Sequence, residues 1–115
     1  MKNKSARIGL VMLDQKEGKY IAARDRLNLL VEEYPQDASL LKMRANIELE
    51  QGFADAALID LEAASALEPE DADIYVMMGD IYLQQKEKSK ARQSYRRAIE
   101  LGIPAVQLQE KLKQC

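Results

Sequence analysis

The chain repeats one pattern three times at a spacing of 34 residues. Ala23, Ala57 and Ala91 stand 34 apart, and so do Leu27, Leu61 and Tyr95, then Leu30, Ala64 and Ala98, then Val11, Ala45 and Gly79. A unit of that length holds two helices and a turn and cannot bury its apolar face alone, so successive units must stack. The residue types agree with helix. Leu, Ala, Glu, Lys, Arg and Gln, all good helix formers, dominate the sequence, and only three prolines and five glycines interrupt it. At 115 residues the chain is long enough to bury a core unaided. We expect one all-α domain over residues 1–115, with repeats at about 4–37, 38–71 and 72–105 and a closing helix at about 105–114.

Each unit reads as two amphipathic helices. In the first helix Ala6, Leu10 and Leu13 recur as Leu40, Arg44 and Ile47, then as Ile74, Met78 and Ile81. Spacings of four and three put each set on one helix face. Arg44 interrupts this stripe, and we expect its stem to run along the core with the guanidinium in water. In the second helix Ala23, Leu27 and Leu30 recur at the same period, with alanines that permit close helix approach.

The punctuation repeats as well. Asn3, Asp37 and Asp71 precede the first helices, where a side-chain oxygen caps free N–H groups. Gly18 and Gly52 close the first helices, where a left-handed residue is wanted, but Lys86 takes that place in the third unit. Pro35 and Pro69 stop the second helices, and Pro104 follows Gly102 one position late. These signals predict helices near 4–16, 19–33, 38–50, 53–67, 72–85, 88–101 and 105–114. The last carries an Ala105, Leu108 and Leu112 stripe and reads as a half-repeat capping the array.

Charge and composition exclude several functions. A net charge of −2 lacks the basic surplus of a general nucleic-acid or anionic-membrane binder. The charge is uneven: residues 38–71 hold two bases against eight acids, whereas residues 72–105 hold six bases against four acids. No apolar run approaches the ~20 residues of a membrane span. The stretch from Ile8 to Leu13, closed by Asp14, is too short for a secretory signal. Cys115 is the single cysteine, which rules out an internal disulfide and fits a reducing, cytoplasmic setting. There is no histidine, hence no usual general base or metal ligand, and Cys115 has no histidine to activate it. The acidic run from Glu68 to Asp73 lacks the glycine and distal glutamate of a calcium loop and reads as a helix-capping region. We expect no enzyme, no cofactor and no metal.

What remains is the first-helix face turned away from its own partner helix. Ser5, Ile8, Met12 and Gln15 form one stripe, Ser39, Lys42, Asn46 and Leu49 a second, and Asp73, Val76, Asp80 and Leu83 a third. Stacked hairpins align the three stripes. One end is apolar (Ile8, Met12), the middle polar (Lys42, Asn46), and the far end mixes Val76 and Leu83 with Asp80. A peptide with one apolar and one polar or basic end suits that gradient, and Met12 re-packs readily around varied side chains. The plainer alternative is that Ile8 and Met12 pack only on their neighbours.

These residues resemble the tetratricopeptide repeat family. The third unit carries Tyr75, Met78-Gly79, Tyr82, Ala91, Tyr95 and Ala98. The second has Leu41, Ala45, Gly52, Ala57, Leu61, Ala64 and Pro69. The first keeps Leu10, Gly18, Ala23, Leu27 and Pro35 but has Arg7, Val11 and Asp14 where the family prefers an apolar residue, Gly and Tyr. The resemblance implies three tandem helix-turn-helix repeats in a right-handed α-solenoid with a C-terminal capping helix. It also implies a concave, partner-binding groove formed by Ile8, Met12, Gln15, Lys42, Asn46, Leu49, Val76, Asp80 and Leu83. Lys42 and Asn46 share a spacing with family members that clamp a C-terminal carboxylate. The matching positions on either side, Ile8, Met12, Val76 and Asp80, do not supply the rest of such a clamp. The expected function is a protein–protein interaction module, an adaptor or scaffold for a peptide or helix. The alternatives are a small secretion-type chaperone shielding apolar segments and a module that self-associates into homo-oligomers.

Overall fold

The computed structural model describes residues 3–115 and contains the predicted helices. They are α1 (Lys4–Lys16), α2 (Tyr20–Glu33), α3 (Ala38–Glu50), α4 (Ala54–Leu67), α5 (Ala72–Gln84), α6 (Lys88–Glu100) and α7 (Gln109–Gln114). Among the described residues there is no strand. The one departure is at the end. The segment expected as a single helix begins as a 3-10 turn, Ala105–Leu108, before α7. Pro104 lies extended (φ −59°, ψ 130°) and Leu108 leaves helical geometry (φ −106°, ψ 4°), so the helix restarts at Gln109.

The caps work as their chemistry requires. The side chain of Asn3 accepts from the Ala6 N–H at 2.7 Å, Asp37 from Ser39 at 3.0 Å and Asp71 from Asp73 at 3.0 Å. Each satisfies a helix-start donor that lacks an intrahelical partner. The helix ends repeat too. Lys19 N–H returns to the Asp14 carbonyl (2.7 Å), Phe53 to Glu48 (2.7 Å) and Glu87 to Tyr82 (2.8 Å), each around a residue of positive φ. Gly18 (φ 77°) and Gly52 (φ 86°) adopt that conformation freely, but Lys86 (φ 64°) is forced into it.

The chain divides into two compact units, one running to Leu67 and the other from Glu68 to Cys115. In the first, α1 packs on α2, α2 on α3 and α3 on α4. Val11, Ala23, Leu27, Leu30, Leu40 and Ile47 form its core, with Ile8, Tyr20, Val31 and Met43 packed against them. In the second, α5 packs on α6, and Ala91, Tyr95, Ala98 and Leu108 form the core beneath Tyr75, Tyr82 and Leu112.

One paired position shows how each hairpin closes. As the first-helix residue shrinks from Val11 to Ala45 to Gly79, its counterpart goes from Leu27 to Leu61 to Tyr95, and all six are buried. The third pair is in close contact. A Cβ on Gly79 would lie 2.6 Å from Tyr95 Cε1, within a ring that cannot fold away. Gly79→Ala should therefore destabilise the second unit by about 1–3 kcal/mol, read as a lower urea midpoint. Lys86→Gly should stabilise by about 1 kcal/mol through release of the left-handed lysine, and an unchanged midpoint would refute that reading.

Candidate functional site

In the first unit the nine candidate residues include six: Ile8, Met12 and Gln15 on α1, and Lys42, Asn46 and Leu49 on α3. Met12 is 58% exposed and its neighbour Leu13 is 49% exposed. Both line an open hollow of about 720 Å³ together with Gln15, Lys16, Tyr20 and Glu50. The hollow's polar wall is held by hydrogen bonds. Gln15 donates to Glu50, and the Tyr20 hydroxyl also bonds Glu50, which raises the phenol's pKa. Ile8 is half-buried against the core, so its packing role is real. Asn46 is exposed, whereas Lys42 and Leu49 are half-buried. Lys4 and Asp37 form an ion pair that ties the start of α1 to the cap of α3. Lys4 and then Ser39 hold the Asp37 carboxyl below the usual carboxylate range.

In the second unit Val76 and Leu83 are half-buried and pack against the core. Asp80 accepts from the Tyr95 hydroxyl at 2.7 Å and from Lys111 of α7 at 2.8 Å. It therefore bridges α5, α6 and α7, and Lys111 offsets its charge. Burial, and then the bond to Asp80, pushes the Tyr95 phenol well up. Adding 34 to Val76 and Asp80 reaches Glu110 and Gln114 on α7, both exposed. The period points to these two as further members of the candidate stripe; reading α7 only as a cap hid them.

A second polar constellation lies inside the first unit. The Arg44 guanidinium does not stay wet, as the sequence suggested. Its Nε and Nη2 donate to the two Asp60 oxygens at 2.8 and 2.7 Å, and Nη1 donates to Asn28 at 3.1 Å. Asp60 of α4 supplies a buried acceptor in the right place, and a paired guanidinium is better satisfied than a half-wet one. Glu48 is buried beside them, with Oε1 lacking a hydrogen-bond partner. Burial, and then its bond to Asp60, pushes the Glu48 carboxyl up to about 8. Burial alone would raise Asp60 too, but hydrogen bonds from Arg44 and Glu48 outweigh it and hold Asp60 below its ordinary value. Glu48 thus stays protonated and donates to an ionised Asp60. The same register in the first repeat holds Asp14 and Arg26, ion-paired at 2.8 Å, and in the third it holds Tyr82 and Ser94. The signal was present in the sequence: acidic residues at both Asp14 and Glu48, on a face otherwise apolar.

Among the described residues no cluster of three or more His, Cys, Asp or Glu is placed to hold a metal ion. No helix among them is long and apolar enough to cross a membrane.

The hairpins, caps and small-to-large pairs define a class of helical repeat protein, and the comparisons specify it. The tetratricopeptide repeat profile matches residues 42–105, more than half the chain, and the chain belongs to that family. No curated protein sequence matches it significantly. Among solved structures it is similar to the first TPR of Spaghetti (RPAP3) bound to the HSP90 peptide SRMEEVD. Identity there is 21% and the TM-score 0.86, over 95% of this chain and 86% of that one. It is also similar to the Yersinia enterocolitica type III secretion chaperone SycD in complex with a peptide of the translocator YopD, at 16% identity and a TM-score of 0.82, over 96% and 84% of the two chains. A tetratricopeptide repeat protein from Parabacteroides merdae is 30% identical with a TM-score of 0.84; the match covers 98% of this chain but only 44% of that one. The first two likenesses establish a shared fold.

The buried acid predicts a pH response with a definite sign. A carboxyl raised in the folded state binds more protons there than in the unfolded chain, so its contribution is greatest below its ordinary value and declines as the pH rises toward about 8. Glu48→Gln removes that decline. It should raise stability near pH 8 by on the order of 1–2 kcal/mol and leave it nearly unchanged near pH 4. Urea melts at both pH values measure this, and an equal shift at the two would contradict it.

Proposed function

We propose that this chain is a non-catalytic protein-interaction module that takes a peptide or an amphipathic helix on the α1 and α3 surface of its first unit. The observation that carries this reading is the exposed pair Met12 and Leu13 at the rim of a 720 Å³ hollow whose other wall is polar. An apolar anchor on the ligand would enter beside Met12, and a donor such as a lysine, an arginine or a backbone N–H would meet Glu50. Asn46 extends the surface along α3, with Lys42 and Leu49 half-buried on the same helix, and Gln15 lines the hollow. Val76, Asp80 and Leu83 form the corresponding face of the second unit. Solved neighbours of the same fold hold peptides, which supports a peptide as the ligand class.

A narrower reading is a chaperone that shields apolar segments. It is favoured by the exposure of Met12 and Leu13 and by the likeness to a secretion chaperone carrying a translocator peptide. Ligand tolerance separates the two readings. A shielding surface selects many peptides sharing only an apolar pattern, whereas an adaptor selects one motif.

Selection from a displayed library of helical and extended peptides tests both. Met12→Glu should weaken the selected peptides about tenfold or more, because it places a charge against the ligand's apolar anchor. The helical circular dichroism signal should not change, since the side chain is 58% exposed. Undiminished binding by that variant would remove this surface from consideration.

A further inference from the structure

The start and outer surface of α6 concentrate cations with little acid to balance them. Between Lys86 and Arg97 there are six basic residues against one acid, Glu87. Lys86 holds the left-handed position that Gly18 and Gly52 hold in the earlier units. Lys88 and Lys90 stand in the first turn of α6, at the positive end of the helix dipole, where no acid accompanies them. Glu87, the N-cap residue, makes no side-chain capping bond. Lys88 and Arg92, and Arg92 and Arg96, are like-charged pairs at a spacing of four, which repel along a helix.

Internal pairing does not account for these charges. In the first unit Lys4, Arg7, Arg26 and Arg44 each meet a carboxylate. Lys86 before α6, and Lys88, Lys90 and Arg96 on it, are exposed and have no carboxylate partner among the described residues. Lys90 lies 5.7 Å from the Tyr82 ring centre, Arg92 donates to the Cys115 carbonyl oxygen at 2.6 Å, and Arg97 reaches Glu100 only at 3.7 Å. A chain that gives up helix stability at several neighbouring positions of one sign carries a requirement other than folding there.

We propose that this cationic helix surface docks an acidic polypeptide segment. Lys88, Arg92 and Arg96 follow one another at a spacing of four along one side of α6, and Lys90 and Arg97 lie on the other, both outside the buried stripe of Ala91, Ser94, Tyr95 and Ala98. The cationic surface is distinct from the α1 and α3 surface and does not depend on it. A lipid surface fits poorly, because the apolar side of α6 is already spent on the core and leaves nothing to insert. A nucleic acid also fits poorly. The one aromatic residue on α6, Tyr95, is fully buried and offers no stacking platform, and the chain's net charge of −2 opposes a long polyanion. A short acidic segment experiences only the local field, within about 8 Å at physiological salt.

The test uses the whole chain and a labelled peptide of about ten alternating Glu and Asp residues, read by fluorescence anisotropy, with the salt range chosen from the screening length. The peptide should bind at low salt and be released as salt rises. The triple variant Lys88→Glu, Lys90→Glu and Arg96→Glu should bind about tenfold more weakly or worse. It should fold at least as well, since it places acids in the first turn of α6. The alanine version of the same triple guards against any effect of charge reversal on folding. Lys86→Gly should bind more weakly yet unfold at higher urea, and Met12→Glu should bind as the parent does. Equal binding by the parent and both triples would overturn the proposal. So would tighter binding of a single-stranded oligonucleotide or of phosphatidylserine vesicles than of the peptide, or a self-association of the parent that the triple abolishes.

Discussion

The crossing of the two helices in each hairpin is the contact from which the rest of the structure follows. Ala23, Ala57 and Ala91 have no exposed surface, and they let the second helix approach the first closely. At that distance the facing residues must fit one another. Val11 and Leu27 lie together in the first core, and Gly79 leaves the room that the Tyr95 ring fills. That second fit is so tight that even a methyl group on Gly79 has no room. Because the crossing fixes which face of the first helix is buried, it also fixes which face stays free to meet a partner. The position of Met12 at the surface is thus a consequence of Val11 being in the core.

Much of this was legible in the sequence because period and punctuation agreed. The alanine column set the register, and Asn3, Asp37 and Asp71 marked three helix starts that the structure reproduces. Lys86 was legible as an ill-suited turn residue from the place of Gly18 and Gly52 alone. The interior polar groups were harder. A lone arginine on an apolar stripe reads as snorkelling, because nothing in α3 itself announces Asp60 sixteen residues on. Asp80 had a similar fate. Its helix face was predicted, but its partners Tyr95 and Lys111 come from two other helices. Contacts that join three elements are invisible to a periodicity that describes one element at a time.

The two units differ in how they treat charge. The first pairs most of its cations internally, as with Arg7 and Glu33 or Arg26 and Asp14. The second concentrates cations on one helix and leaves several without carboxylates. Surface ion pairs contribute little stability, so this contrast has small consequences for folding. Its consequence is for recognition, where an uncompensated local field decides which partners approach and how fast.

The polar set inside the first unit bears on a problem every repeat array faces. Units with nearly the same apolar pattern can pack in more than one register, since Leu, Ile and Val are interchangeable at similar volume. The group formed by Arg44, Asn28 and Asp60 is not interchangeable. A shift of α3 by one turn against α2 and α4 would still bury leucines, but it would strand Asp60 without its cation, and a buried unpaired carboxylate is far more unfavourable than a few displaced methyl contacts. Glu48 sharpens the requirement, because its buried carboxyl bonds Asp60. The same residues that interrupt the apolar stripe therefore select one packing of the helices that carry Met12, Lys42 and Asn46.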